Sequence, residues 1–184
     1  MAKTSSNQFS KGALAPDFTL VNTLDDQPVT LSKHKGQKGT VVMFICNHCP
    51  FVLHINRALV SLAHDYKHKG FSFLGISSND VVNYPQDGPD KMKTHALDLA
   101  YPFPYLYDET QQVAKAYDAA CTPDFFVFDA SLACVYNGQL DDARPGNQIP
   151  VSGCDIREVL EALKNNTPVS SHFKASVGCG IKWK

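Results

Sequence analysis

A chain of 184 residues can bury a sizeable core in one domain without covalent staples. Its 17 basic and 18 acidic side chains nearly cancel, which argues against a nucleic-acid surface or an electrostatic membrane patch. No stretch has the length of a membrane span, and Met1-Ala2-Lys3-Thr4-Ser5-Ser6-Asn7-Gln8 lacks the apolar core of a secretion signal. The sequence therefore reads as cytoplasmic, and its six cysteines read as free or redox-active thiols rather than a structural framework.

Residues 1–12 are polar and are expected to form a flexible N-terminus. Ala15-Pro16-Asp17-Phe18-Thr19-Leu20 opens an extended segment that Leu24-Asp25-Asp26-Gln27-Pro28 turns into Val29-Thr30-Leu31, a predicted β-hairpin. Val41-Val42-Met43-Phe44-Ile45 is short, β-branched and aromatic, and reads as a buried strand. Val52, Ile55, Leu59, Leu62 and Tyr66 then recur at spacings of three and four, which predicts a helix with one apolar stripe that ends near Lys69-Gly70.

Phe71 to Ser77 is a second strand, and strand, helix, strand implies a parallel pair with a right-handed crossover. Residues 79–88 are rich in Asn, Asp, Pro and Gly and read as a surface loop before a helix over 89–99. Two prolines limit 101–106 to a short extended piece or an edge strand. A helix is expected over 109–117, then a hairpin from Phe125-Phe126-Val127-Phe128 to Cys134-Val135-Tyr136. Residues 139–153 form a long loop bearing Asp141, Asp142 and Arg144, which are solvated charges or a site. A last helix carries Ile156, Val159, Leu160 and Leu163, and the tail, 166–184, ends in an Ile181 and a Trp183 able to dock on the body.

The chemistry is placed at Cys46-Asn47-His48-Cys49-Pro50, where the central strand gives way to the long helix. Proline suits the first helical position, because its missing N–H would have no partner there. Cys49 is then the N-cap, facing unpaired amides and the positive end of the helix dipole, which favour the thiolate. It is the expected attacking sulfur, accessible at the helix mouth, with Cys46 three residues away as its partner. Two other readings stand beside this one. A zinc site could recruit His48 or His54, but no second Cys-X-X-Cys or Cys/His pair occurs at matching spacing. Alternatively, both cysteines are inert buried hydrophobes.

The element order, with Thr122-Pro123 leading into the hairpin, resembles the thioredoxin fold: an α/β architecture with a central mixed sheet flanked by helices, here with an N-terminal hairpin extension and a C-terminal tail. Ala15-Pro16-Asp17-Phe18-Thr19-Leu20 resembles the opening of the redoxin branch that holds peroxiredoxins and TlpA/ResA-like thiol–disulfide oxidoreductases. With Cys-Asn-His-Cys-Pro, Cys-Thr-Pro-Asp-Phe-Phe and the Gly-Cys-X-Ile-Lys tail, the chain is similar to AhpC/TSA-related proteins over residues 13–165.

The resemblance implies a cis Pro123 facing Cys49, with Thr122 presenting its backbone to an incoming substrate chain. His48 beside the thiol either shifts the thiolate's pKa when protonated or is an exposed, incidental neighbour. Two departures matter. Val52 stands where TlpA-like enzymes carry their second cysteine, and Val42 and Cys46 stand where peroxiredoxins carry a proline and a threonine. No arginine occurs over 119–126. The expected function is thiol–disulfide exchange by Cys49 with Cys46 resolving, and Cys121 or Cys179 as alternatives. A peroxidase, or a non-catalytic redox-sensing or binding module, stands as the other reading. No cofactor or metal is implied. The partners are protein or small-molecule disulfides and thiols and an electron donor, and the oligomeric state, like the roles of Cys134 and Cys154, is left open.

Overall fold

The computed structural model describes residues 3–170 and 173–184. The parts of the expected N-terminal segment and tail at positions 1, 2, 171 and 172 lie outside the described residues. In chain order the strands are Lys3–Ser5 (β1), Thr19–Asn22 (β2), Pro28–Thr30 (β3), Gly39–Phe44 (β4), Phe71–Ser77 (β5), Tyr105–Tyr107 (β6), Cys121–Thr122 (β7), Asp124–Asp129 (β8), Cys134–Gly138 (β9) and Val177–Gly180 (β10). The helices are Leu31–His34 (α1), Pro50–Lys67 (α2), Pro89–Asp98 (α3), Gln112–Ala116 (α4) and Cys154–Lys164 (α5), with a 3-10 turn at Pro85–Asp87.

The main sheet runs β3-β2-β6-β5-β4-β8-β9. β4 is parallel to β5 and β5 to β6, whereas β8 lies antiparallel on the other side of β4 and returns through β9. All six residues of β4 are buried, as a strand covered on both faces requires. Side chains alternate across the pleat. Val41, Met43, Phe125 and Val127 share one core with Leu59 and Leu62 of α2 and Ile156 and Leu160 of α5. Val42, Phe44, Phe126 and Phe128 share the other with Leu31, Leu74 and Tyr117. The α2 stripe is buried at Val52, Ile55, Leu59, Leu62 and Tyr66, as its spacing predicts.

Of the two readings of 101–106, the short extended piece holds and the edge strand does not: β6 begins after both prolines, at Tyr105, and β2 pairs with its free side. Two expectations need correction. The helix expected over 109–117 is confined to Gln112–Ala116. Gln111 takes a left-handed conformation at φ 62°, and the Asp108 carboxylate accepts the Ala114 N–H at 2.9 Å, so the chain turns before it coils. Residues 3–5 are not loose, since β1 pairs antiparallel with β10.

In the tail, Ile181 docks into the second core, while Trp183 stays 43% exposed with the Lys115 ammonium above its ring. β10 also pairs antiparallel with β7, so β1, β10 and β7 form a small second sheet. β10 contacts α2, and Thr122 of β7 meets Cys46 and Cys49 in the turn between β4 and α2. Among the described residues, no helix is long and apolar enough to cross a membrane.

Candidate active site

β4 delivers the chain into the site. Ile45 N–H still bonds Ile76 O at 2.9 Å, holding the strand direction to within one residue of Cys46. Pro50 then starts α2, and Cys49 is its extended N-cap at φ −70°, ψ 120°. The amides of Val52 and Leu53 both bond the Cys49 carbonyl, at 3.0 and 2.9 Å, which fixes the cysteine's backbone against the helix. The Thr122–Pro123 bond is cis, and β7 brings Thr122 against both thiols. Cys46 Sγ lies 3.4 Å from Thr122 Oγ1, and as a thiol Cys49 donates to Thr122 O at 3.1 Å.

Both sulfurs meet Thr122, and their ionisation is displaced in opposite directions, Cys49 down and Cys46 up. Hydrogen bonding from the Cys46 thiol is the largest influence on Cys49 and, against the opposing effect of burial, brings it down to about 5. Cys179 and Thr122 add further donors, and the Val52 amide, already bonded to a carbonyl, adds least. Cys46 is correspondingly driven well above the usual thiol range, first by giving its hydrogen bond to Cys49, then by burial and the nearby Asp87 charge. The sequence points to free amides at the helix mouth as the source of ionisation. The neighbouring Cys46 thiol is the first influence that lowers Cys49, ahead of any backbone amide.

The expected accessibility of Cys49 is corrected as well: the residue is 0% exposed, and Cys46 is 1% exposed. The cover is β10, whose Cys179 sits opposite Thr122 in the strand register, the residue whose carbonyl the Cys49 thiol meets at 3.1 Å. Cys49 belongs to the first hydrophobic core, as the buried-hydrophobe reading expects, and within it the thiol meets the Thr122 carbonyl at 3.1 Å. The Thr122 backbone expected to meet an incoming chain is thus occupied by the protein's own tail.

His48 is half-buried and held from two sides. Its Nδ1 lies 2.6 Å from Asp87 Oδ2, and its ring stacks on Tyr84 with centroids 5.7 Å apart. Asp87 is fully buried and also accepts the Asn47 N–H at 2.9 Å and the Asn79 side-chain amide at 2.8 Å. Sequence reading missed Asp87 and Asn79. Their segment has the composition of a solvated loop, and its polarity in fact serves buried hydrogen bonds to the Cys46–Cys49 turn. Cys46 Sγ, His48 and Asp87 bring three candidate metal-ligand atoms within 4.8 Å of one another. Since the Asp87 carboxylate already accepts three donors, this cluster is built first as a hydrogen-bond network that shapes the turn.

The remaining candidates fall differently. Cys121 is buried beside the site but donates to Pro123 O at 3.7 Å, and burial pushes its thiol up. Cys134 lies in the second core and donates to Tyr136 O at 3.6 Å, while Cys154 is exposed at the start of α5. The acidic loop fastens itself. Asp141 accepts the amides of Ala143, Ser152 and Gly153 at 2.9, 2.7 and 2.6 Å, and the Arg144 guanidinium donates to the carbonyls of Asp141 and Ala143. A narrow crevice beside the site is lined by apolar Phe51, Ile55, Pro123 and Phe125 on one side and by Asp141 and Arg144 of the acidic loop.

The model of the AhpC/TSA family matches residues 12–136. Peroxiredoxin Q, chloroplastic, of Triticum aestivum is 30% identical over 106 residues, which are 58% of this chain and 45% of that protein. The chain thus spans about half the length of the curated relatives it matches. An uncharacterized conserved protein from Geobacillus kaustophilus has a crystal structure that aligns with a TM-score of 0.99 at 58% identity, over 100% of this chain and 97% of that one. A thiol:disulfide interchange protein of the thioredoxin family from Chlorobium tepidum TLS aligns with a TM-score of 0.64 at 19% identity, over 85% and 99%. The fold is thioredoxin-like.

Proposed function

This chain belongs to the AhpC/TSA family, and on that premise we propose that it is a thiol–disulfide oxidoreductase that attacks with Cys49 and resolves with Cys46. The observation that carries the reading is geometric: Cys46 and Cys49, three residues apart at the strand-to-helix turn, both meet Thr122 beside the cis Pro123, and the neighbouring Cys46 thiol is the first influence that lowers Cys49, to about 5. In the first step the Cys49 thiolate attacks one sulfur of a substrate disulfide. That S–S bond breaks, and the departing sulfur takes up a proton. In the second step Cys46 loses its proton and attacks Cys49 Sγ, forming Cys46–Cys49 and releasing the second substrate thiol. The substrate gains two electrons and the dithiol loses them. An external thiol donor then returns the pair to the reduced state.

Thr122 meets both sulfurs: its hydroxyl lies 3.4 Å from Cys46 Sγ, and its carbonyl accepts from Cys49 in the thiol form. His48, braced by Asp87 and Tyr84, stands beside Cys46 at the rim. A peroxidase reading draws on the similarity to peroxiredoxin Q. It asks for donors to polarise a peroxide, and here Cys46 occupies the expected threonine position while Arg144 is committed to its own loop. Reduction of insulin or glutathione disulfide, measured beside hydrogen peroxide consumption with a dithiol donor, separates the two. The proposal expects disulfide reduction that Cys49→Ser abolishes. Turnover by Cys49→Ser protein would refute it.

A further inference from the structure

β10 enters the site as a foreign strand would. It runs antiparallel to β7 with Cys179 opposite Thr122 and Gly180 opposite Cys121, taking the edge immediately before the cis proline. The approach is close enough that a Cβ at Gly178 would collide with the Thr122 carbonyl, so only glycine fits one residue before Cys179. The segment is fixed on both sides. Ser176 N–H bonds Ser6 Oγ at 2.9 Å, Lys182 N–H bonds Asn79 Oδ1 at 2.8 Å, and Lys182 O accepts from Asp80 N–H and the Gln111 amide, both at 2.8 Å. Cys49 Sγ donates to Thr122 O at 3.1 Å, so the strand paired opposite Thr122 brings Cys179 beside that sulfur, while Cys46, 3.4 Å from the Thr122 hydroxyl, approaches from the turn after β4. One sulfur therefore has two thiol neighbours, carried by separate parts of the chain.

We propose that β10 is a built-in substrate strand: Gly178-Cys179-Gly180 occupies the place that an extended, cysteine-bearing polypeptide takes during exchange, and Cys179 forms an internal mixed disulfide with Cys49. The proposal rests on the oxidoreductase reading and names its substrate class, a polypeptide segment that adds by strand pairing and carries a small residue before its cysteine. Oxidised chain reaches the internal state by exchange alone. Cys179 loses its proton and attacks Cys49 Sγ, the Cys46–Cys49 bond breaks, and the Cys46 sulfur leaves and takes up a proton. One disulfide replaces another with no net oxidation. A substrate strand competes for the same edge once β10 lifts away by local opening, which is also what uncovers the buried Cys49.

The test uses the full chain. Cys46→Ser protein is oxidised with oxidised dithiothreitol, remaining thiols are alkylated, and disulfides are mapped by mass spectrometry. The expected major product is Cys49–Cys179. In parallel, Gly178→Val, which dislodges β10 at the cost of about one to two hydrogen bonds, raises the rate of Cys49 alkylation about tenfold. Recovery of Cys179 as an alkylated thiol, with Cys49 joined to Cys121 or to a second chain, overturns the proposal. An unchanged alkylation rate in folded Gly178→Val protein overturns it equally. If that variant does not fold, the Cys46→Ser map decides. Failure of wild-type protein to reduce insulin disulfides sinks the oxidoreductase reading. Cys179 left out of the disulfide, in a chain whose wild type does reduce insulin, sinks the substrate strand alone.

Discussion

Replacing Cys46 by alanine removes the hydrogen bond that contributes most to the ionisation of Cys49. A hydrogen bond to a charged group is worth roughly 1.5–3 kcal/mol, and a pKa unit corresponds to about 1.36 kcal/mol. The Cys49 midpoint therefore rises from about 5 to roughly 6–7. At about pH 6 the ionised fraction drops by roughly two- to tenfold. Iodoacetamide alkylation of Cys49, followed across pH by peptide mapping, reads the midpoint directly. Cys46→Ser keeps a hydroxyl donor in place and should return the midpoint most of the way toward the wild-type value. The reasoning fails if Cys46→Ala leaves the midpoint where it was, because the helix end would then be the dominant influence after all.

Three further outcomes follow from buried groups. The Cys49 thiol is depressed in the folded chain, so the stability it contributes is fully present above the ordinary thiol range and is lost as pH falls from about 9 to about 5; the gap in urea midpoint between wild type and Cys49→Ser should narrow across that window. Asp124 behaves oppositely. Burial raises its carboxyl from 3.8 to about 8, so the unfolded chain ionises first and wild type loses stability as pH rises through that interval. Asp124→Asn should flatten the slope in thermal melts, and an unaltered slope would count against the assignment. Asp87→Ala strands the Asn47 amide, the His48 ring and the Asn79 amide together. A buried donor left unpaired costs about 1–3 kcal/mol, so urea denaturation should show at least that loss, with Asp87→Asn recovering part of it. A change under about 0.5 kcal/mol would contradict the network.

The features legible in the sequence are those written locally. The β4 run, the α2 stripe and Pro50 at the helix start need only periodicity and the conformational limits of proline, and all three stand in the structure. The cis Thr122–Pro123 bond came from the resemblance, because residues alone do not separate it from a trans turn. What stayed hidden depends on partners far along the chain. β1, β7 and β10 are too short to announce themselves, and their pairing joins residues 3–5, 121–122 and 177–180. Asp87 reads as a solvated loop acid because its composition matches one, yet it lies forty residues from the amide of Asn47 that it accepts. The burial of Cys49 went unread for the same reason: its cover is the tail.

The central claim is that Cys49 makes and breaks the substrate bond. Reduced wild-type protein mixed with one equivalent of a peptide disulfide, acid-quenched in a single turnover, alkylated and mapped by mass spectrometry tests it most directly. The account predicts Cys49 joined to the substrate peptide at early times and to Cys46 or Cys179 at late times. Substrate reduced while Cys49 is recovered as a free, alkylated thiol at every time would contradict it.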